Sequence, residues 1–264
     1  MIWEIVNKES DIEAIFENSS PSLESLLIAE DLYEKARENY EPLINFITKD
    51  EIFERIIAYI TQVHDEKNFN KEQYKYSNNS SELLKTTDST SKKLLDSKIN
   101  TENDSEYFPY LDQLLDYFSR DKKLNTLSAS LVCRVLMHSI SFSSEKANYI
   151  VMNRLSSNPN FSQNIFRHTN CGAITDFLVF MTSIDDNCLH APLRNIFNDA
   201  FFNSLTDFLN PIHDPEYYES TAYIFDNISS NSRKKLSEYY SDESAVYDPE
   251  EMTYYQINLE ILES

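Results

Sequence analysis

His168-x-x-Cys171 and Cys188-x-His190 set out four nitrogen and sulfur donors, the set that a tetrahedral zinc ion takes. As a metal motif the arrangement is weak. His168 and Cys171 fall at or just beyond one expected helix end, and a Cys-x-His pair is not a usual zinc hook. A donor histidine near a helix C-terminus and packed thiols account for the same residues, so no metal ligand is expected. Nucleophilic and acid-base chemistry fares no better. No serine lies in a G-x-S-x-G elbow, and Cys133 sits on the apolar face of an expected helix, where a thiol is inert packing. The carboxylate pairs Asp185-Asp186 and Glu250-Glu251 are adjacent in sequence and point in different directions on a helix. Neither a catalytic residue nor a cofactor site is expected, and the chain reads as a binding protein rather than an enzyme.

The elements that carry these residues are expected to be helices. Among 264 residues there is one glycine, Gly172. Phosphate loops and tight hairpins need glycine at positive φ or close backbone approach, so neither a Walker A loop nor a G-x-G-x-x-G turn can exist. Helical spacing is explicit in several stretches. Thr48-Lys49-Asp50-Glu51 has the capping-box order ahead of Ile52, Phe53, Ile56, Ile57 and Ile60. Leu124, Leu127, Leu131, Val135 and Leu136 recur at threes and fours, as do Ile174, Phe177, Leu178 and Met181. Asp214-Pro215-Glu216 offers a cap and first turn ahead of Ala222, Phe225 and Ile228. A degenerate aromatic pentamer recurs at Leu43 to Ile47, Leu114 to Phe118, Ile174 to Leu178 and Leu205 to Leu209. Its irregular intervals fit an all-α, armadillo/HEAT-like α-solenoid whose aromatics fill the layers between repeats.

Four segments follow: helical repeats over 1–63, a polar and partly disordered insertion over 64–106, further repeats over 107–229, and an acidic, Tyr-rich segment over 230–264. In the insertion Ser, Asn, Thr, Asp and Lys dominate, leaving Leu83-Leu84 and Leu94-Leu95 to anchor short helices. A surface insertion is the plain reading and a phosphorylated regulatory loop the alternative. After Lys235 come eight carboxylates, five tyrosines and no Lys or Arg, a pattern read as a solvated tail or weakly packed final helix, with an acidic docking segment as the alternative. With 44 acidic and 23 basic residues, the net charge of -21 repels phosphate backbones and anionic lipid, so no nucleic-acid and no membrane partner is expected. No stretch free of Asp, Glu, Lys and Arg exceeds 12 residues, which excludes a spanning helix. Three cysteines at no framework spacing suit a reducing compartment, and a cytoplasmic location is expected, with the nucleus also open.

Met1-Ile2-Trp3, Ser22-Leu23-Glu24-Ser25-Leu26-Leu27, the acidic pair Glu30-Asp31 and Leu43-Ile44-Asn45-Phe46-Ile47 follow one another in an order that resembles the start of the SAPS family, regulatory subunits of protein phosphatase 6. Ser81-Glu82-Leu83-Leu84, Leu124 to Ser130, Phe161 to His168 and Gly172 to Leu178 continue the resemblance collinearly to about Ile228. Thr126 stands where the family has proline, and Thr169-Asn170-Cys171-Gly172 is irregular. The family carries a histidine at the position of His168 and no cysteine at that of Cys171. What the resemblance implies is a regulatory or scaffolding subunit that binds a protein phosphatase 6-type catalytic subunit and directs its substrate choice, with ankyrin-repeat regulatory subunits as further partners. It places Trp3, Glu30, Asp31 and Asp176 in matched motifs as candidate partner contacts. Packing of the first repeat's hydrophobic face is the plainer account of Trp3, and solvated helix caps the plainer account of the three acids. A general armadillo/HEAT-like adaptor without a phosphatase is the alternative function.

Overall fold

The computed structural model describes residues 10–18, 21–62, 70–100, 104–141, 145–158, 160–184, 189–208 and 215–241. The chain divides into two compact units between Leu114 and Leu115. Among the described residues it is all-α, apart from a four-residue hairpin in which Lys98 pairs with Tyr107 and Ile99 with Glu106.

In the first unit α1 (Asp11–Asn18), α2 (Leu23–Ile28), α3 (Leu32–Arg37), α4 (Glu41–Ile47) and α5 (Asp50–Thr61) follow in short steps. They are succeeded by α6 (Lys71–Thr86), α7 (Asp88–Leu94), the strands β1 (Lys98–Ile99) and β2 (Glu106–Tyr107), and α8 (Pro109–Leu115). Polar residues make the turns that glycine makes elsewhere. Asn39 adopts φ 54° after α3, the Tyr40 amide donates to Lys35 O at 3.0 Å and the Asn39 amide to Ala36 O at 3.1 Å, a left-handed helix stop with asparagine in the usual glycine place. Ser22 caps α2 by accepting the Ser25 amide, Asn70 caps α6 by accepting those of Glu72 and Gln73, and Thr87 caps α7 by accepting that of Thr90.

Residues 71–94 differ from the expected surface insertion. They form α6 and α7, and α6 packs against α2, α3, α5 and α7 at the centre of the unit. Its buried side is polar. Ser77, Ser80 and Ser81 are small enough to let neighbouring helices approach, and all three are fully buried beside Leu83 and Leu84. Asn79 donates to Leu27 O at 2.5 Å and accepts from Tyr33 Oη at 2.7 Å, while Lys75 Nζ reaches Ile28 O at 3.1 Å. The carbonyls left open at the C-terminus of α2 are thus closed by side chains of α6. The capping box also shifts by a residue. Lys49 occupies the N-cap of α5 without a side-chain bond, and the Thr48 hydroxyl donates back to Ile44 O at 2.7 Å, closing α4 instead. Downstream, Phe53, Ile56, Ile57 and Ile60 are buried as their spacing requires.

The second unit holds a 3-10 turn (Asp116–Ser119) and α9 (Thr126–Ser141), α10 (Glu145–Ser157), α11 (Phe161–Phe166), α12 (Gly172–Thr182), α13 (His190–Ile196), α14 (Asp199–Phe208) and α15 (Pro215–Ser241). Here α9 packs on α10 and α12, α10 on α13, α11 on α14, and α12 and α14 on α15, the succession of near-neighbour helix pairs that an armadillo/HEAT-like array uses to bury its faces. Asn125 Oδ1 accepts the Ser128 amide at 3.1 Å, which makes Thr126 the first helical residue of α9. That position has no amide bond to lose, so threonine serves it as a proline would. Ile174, Phe177, Leu178 and Met181 are completely buried on α12. Gly172, its first residue, has no positive φ, and a Cβ there would meet nothing within 4 Å. On α15 the buried stripe is Thr221, Ile224 and Ile228, with Ala222 and Phe225 half-buried, and the helix runs past 229 to Ser241. Residues 242–264 lie outside the described residues.

Candidate functional site

The zinc arrangement resolves into packing where it can be followed. His168 and Cys171 are 1% and 3% exposed, and Cys188 and the His190 side chain lie outside the described residues. The His168 ring is set against the backbone of Phe118 and Arg120, yet neither ring nitrogen has a well-formed hydrogen bond. Burial holds its imidazole below the ordinary value, so the ring is neutral at pH 7. Burial likewise pushes the Cys133 thiol well up, and Cys171 nearby disfavours its thiolate further. Among the described residues no three His, Cys, Asp or Glu side chains converge to hold a metal ion.

Of the four residues drawn from matched motifs, Trp3 lies outside the described residues. Asp31 stands at the start of α3 but makes no cap bond there. Its carboxylate instead accepts the Ser10 hydroxyl at 2.5 Å and the Ile12 amide at 3.2 Å, while Ser10 Oγ accepts the Glu13 amide at 3.1 Å. Asp31 therefore caps α1 from a distance in sequence, favourably placed at the positive end of that helix. Asp11 answers in the other direction, accepting the Glu30 amide at 3.4 Å. The Glu30 side chain is exposed, and so is Asp176 on the outer side of α12. The structure gives Asp31 a part in folding and places Glu30 and Asp176 at exposed positions.

Two polar clusters in the first unit escape any reading of spacing. Glu24 on α2 accepts both Arg55 and Tyr59 of α5. Burial alone would raise the Glu24 carboxyl, but the Tyr59 and Arg55 hydrogen bonds together hold it below the usual range. Asp50, the first residue of α5, accepts Lys93 Nζ at 2.5 Å and Tyr110 Oη at 2.8 Å, with Lys98 at 3.7 Å. The partners come 43 and 60 residues later, beyond any local motif. Hydrogen bonds from Lys93 and Tyr110 pull the Asp50 carboxyl down to about 2, and Tyr110 is pushed up to about 12 by burial and by Asp50.

As pH falls, the unfolded chain takes up the Asp50 proton first, so the contribution is complete above about pH 4 and is lost between there and pH 2. Asp50→Asn is expected to lower the urea midpoint at pH 7, with the gap to wild type closing across that interval. A gap independent of pH would refute the ion-paired reading.

Among the described residues no helix is long and apolar enough to cross a membrane. Two units of successive helices, with Glu24 and Asp50 bonded to side chains of neighbouring elements, define a helical-array protein. No model of a known protein family matches the chain. It is, however, 27% identical over 89% of its length to serine/threonine-protein phosphatase 6 regulatory subunit 3-B of Xenopus laevis, covering 27% of that protein. It is 25% identical over 89% of its length to regulatory subunit 3 of Gallus gallus, covering 26% of it, and 23% identical over 69% to regulatory subunit 2 of Mus musculus, covering 18%. All of these relatives are protein phosphatase 6 regulatory subunits, the class of protein that the opening motifs resemble. The chain spans about a quarter of the length of the relatives it matches over 89% of itself. A solved engineered protein covers 92% of this chain, and is itself covered to 99%, at 15% identity with a TM-score of 0.41.

Proposed function

We propose that the chain is a regulatory scaffold segment that binds a protein phosphatase 6-type catalytic subunit and directs its substrate choice. The observation that carries this reading is the similarity to phosphatase 6 regulatory subunits over 89% of the chain. The fold is suited to the task, because a helical array offers successive helix ends and faces over which a globular partner is held by a few anchors and many weak contacts. Hydrolysis then belongs to the catalytic subunit, and the chain itself is no enzyme. Ankyrin-repeat regulatory subunits as additional partners, and a cytoplasmic or nuclear location, belong to the same proposal. Glu30, Asp176 and Trp3 are the contacts we assign to it, with Asp31 acting through the fold.

The test is binding of the purified chain to a purified phosphatase 6-type catalytic subunit, alongside a Trp3→Ala, Asp176→Lys variant. Asp176 is exposed, so Asp176→Lys alone should leave circular dichroism unchanged and serves as the control for any packing role of Trp3. Binding by wild type that weakens about tenfold or more in the variant is expected. A well-folded wild-type chain that binds no catalytic subunit would overturn the proposal and favour the general armadillo/HEAT-like adaptor.

A further inference from the structure

In a chain with 44 acidic and 23 basic residues, four cations gather at one place in the second unit. Arg120, Lys122 and Lys123 lie in the exposed stretch between the 3-10 turn and α9, and Arg167 follows the end of α11 beside it. The stretch is anchored. The Tyr117 hydroxyl, itself buried, donates to Asn125 O at 3.0 Å, and Asn125 in turn caps α9. Asn164 Nδ2 donates to Ser119 Oγ at 3.3 Å, tying the other end to α11. The Arg120 guanidinium rests over the Tyr117 ring, 4.5 Å from its centre. Arg167 Nη1 reaches Asp121 Oδ1 at 3.1 Å, bringing the two segments together.

Of the acids in this stretch, Asp116 belongs to the 3-10 turn and Asp121 is loosely held. Asp121 is 92% exposed and Arg167 50% exposed, and an ion pair so open to water contributes little. An incoming carboxylate can take its place on Arg167. Among the described residues neither Lys122 nor Lys123 has a carboxylate within ion-pair distance.

We propose that Arg120, Lys122, Lys123 and Arg167 form a docking surface for a short acidic peptide segment of a partner protein. Charge complementarity selects the acid, and the rest of the molecule selects its size. Local attraction acts within about 10 Å at ordinary salt, whereas an extended polyanion also meets a chain whose net charge is -21. A nucleic acid or an anionic lipid surface is disfavoured on that ground. A membrane would also want an apolar anchor, and the exposed residues 119 to 123 are Ser, Arg, Asp, Lys and Lys, while Leu124 is buried.

Fluorescence anisotropy of the whole chain with a fluorescein-labelled peptide of alternating Glu and Ala tests this. Binding by wild type is expected, weakened about tenfold or more by Lys122→Glu with Lys123→Glu. It should also weaken as NaCl rises from about 50 to about 300 mM. Lys71→Glu with Lys92→Glu makes the same change of net charge from exposed positions in the first unit and should bind as wild type. Should the glutamate pair disturb the circular dichroism, Lys122→Gln with Lys123→Gln removes the charge without reversing it and should still lose binding. Absence of wild-type binding at low salt would overturn the proposal, as would equal losses in the two charge-reversal pairs. Binding that appears only when residues 242–264 are removed would assign the surface to the chain's own acidic segment. An oligouridylate that binds as tightly as the peptide would make it a general polyanion surface.

Discussion

Phe118→Ala is expected to destabilise the second unit by about 3–5 kcal/mol, the largest effect of any single truncation considered. Phe118 is completely buried and touches three other rings. It stacks on Phe177 of α12 at 6.1 Å with the planes 8° apart, and meets Phe161 of α11 edge-on at 6.3 Å and Tyr117 edge-on at 6.1 Å. One side chain from a four-residue turn thus joins α11 to α12. Removing it costs the transfer of a whole aromatic ring and leaves a cavity, and the stacked and edge-on pairs add their own preference for this geometry. Urea denaturation followed by near-ultraviolet circular dichroism would report the loss. Phe118→Leu keeps most of the volume and should cost markedly less; equal costs for Ala and Leu would show that the ring contacts are not what holds these helices together.

Asn79→Leu should cost about 2–4 kcal/mol despite its like branching and greater hydrophobicity. The change takes a partner from two groups at once. Leu27 O at the end of α2 loses its donor, and the Tyr33 hydroxyl loses its acceptor. A buried polar group without a partner costs more than an ordinary hydrogen bond returns, because the unfolded chain still has water. A second substitution, Tyr33→Phe, made in the Asn79→Leu background should cost less than it does in wild type, a coupling of about 0.5 kcal/mol or more. Strict additivity would mean that Asn79 does not link α6 to α3.

Asn79 also shows where a reading of sequence stops. On α12, Ile174, Phe177, Leu178 and Met181 are legible because the period is written in apolar residues and water excludes such residues for a simple reason. On α6 the buried side reads Ser77, Asn79, Ser80 and Ser81, chosen for small size and for bonds to the end of another helix. A scale of hydrophobicity scores that segment as loop. The helix is specified by its neighbours, and those neighbours are far away in the chain. The one-residue shift at Thr48 is a local version of the same limit, since a hydroxyl can close the preceding helix as readily as open the next. In the second unit the Asp214-Pro215 signal placed the beginning of α15 well, whereas the polar composition after 229 hid its continuation to Ser241.

Candidate site residues divide in the same way. His168 is packed near a helix end, but neither ring nitrogen has a well-formed hydrogen bond, in place of the donor role the sequence suggests. Asp50 gave no sign beyond a capping pattern, because Lys93 and Tyr110 reach it from α7 and α8. No motif or spacing singled out Arg120, Lys122, Lys123 or Arg167, and only the fold brings their two segments together.

Asp31 and Asp176 enter from the same resemblance and yet are different kinds of probe. The bonds from Ser10 and Ile12 make Asp31 a gate on the first helix: in molecules where α1 frays, any partner that needs α1 sees a smaller competent population. An affinity lost at Asp31 would then track the fraction of closed molecules and recover on cooling or with a stabilising ligand. Loss at Asp176, exposed on its helix, would persist under both conditions.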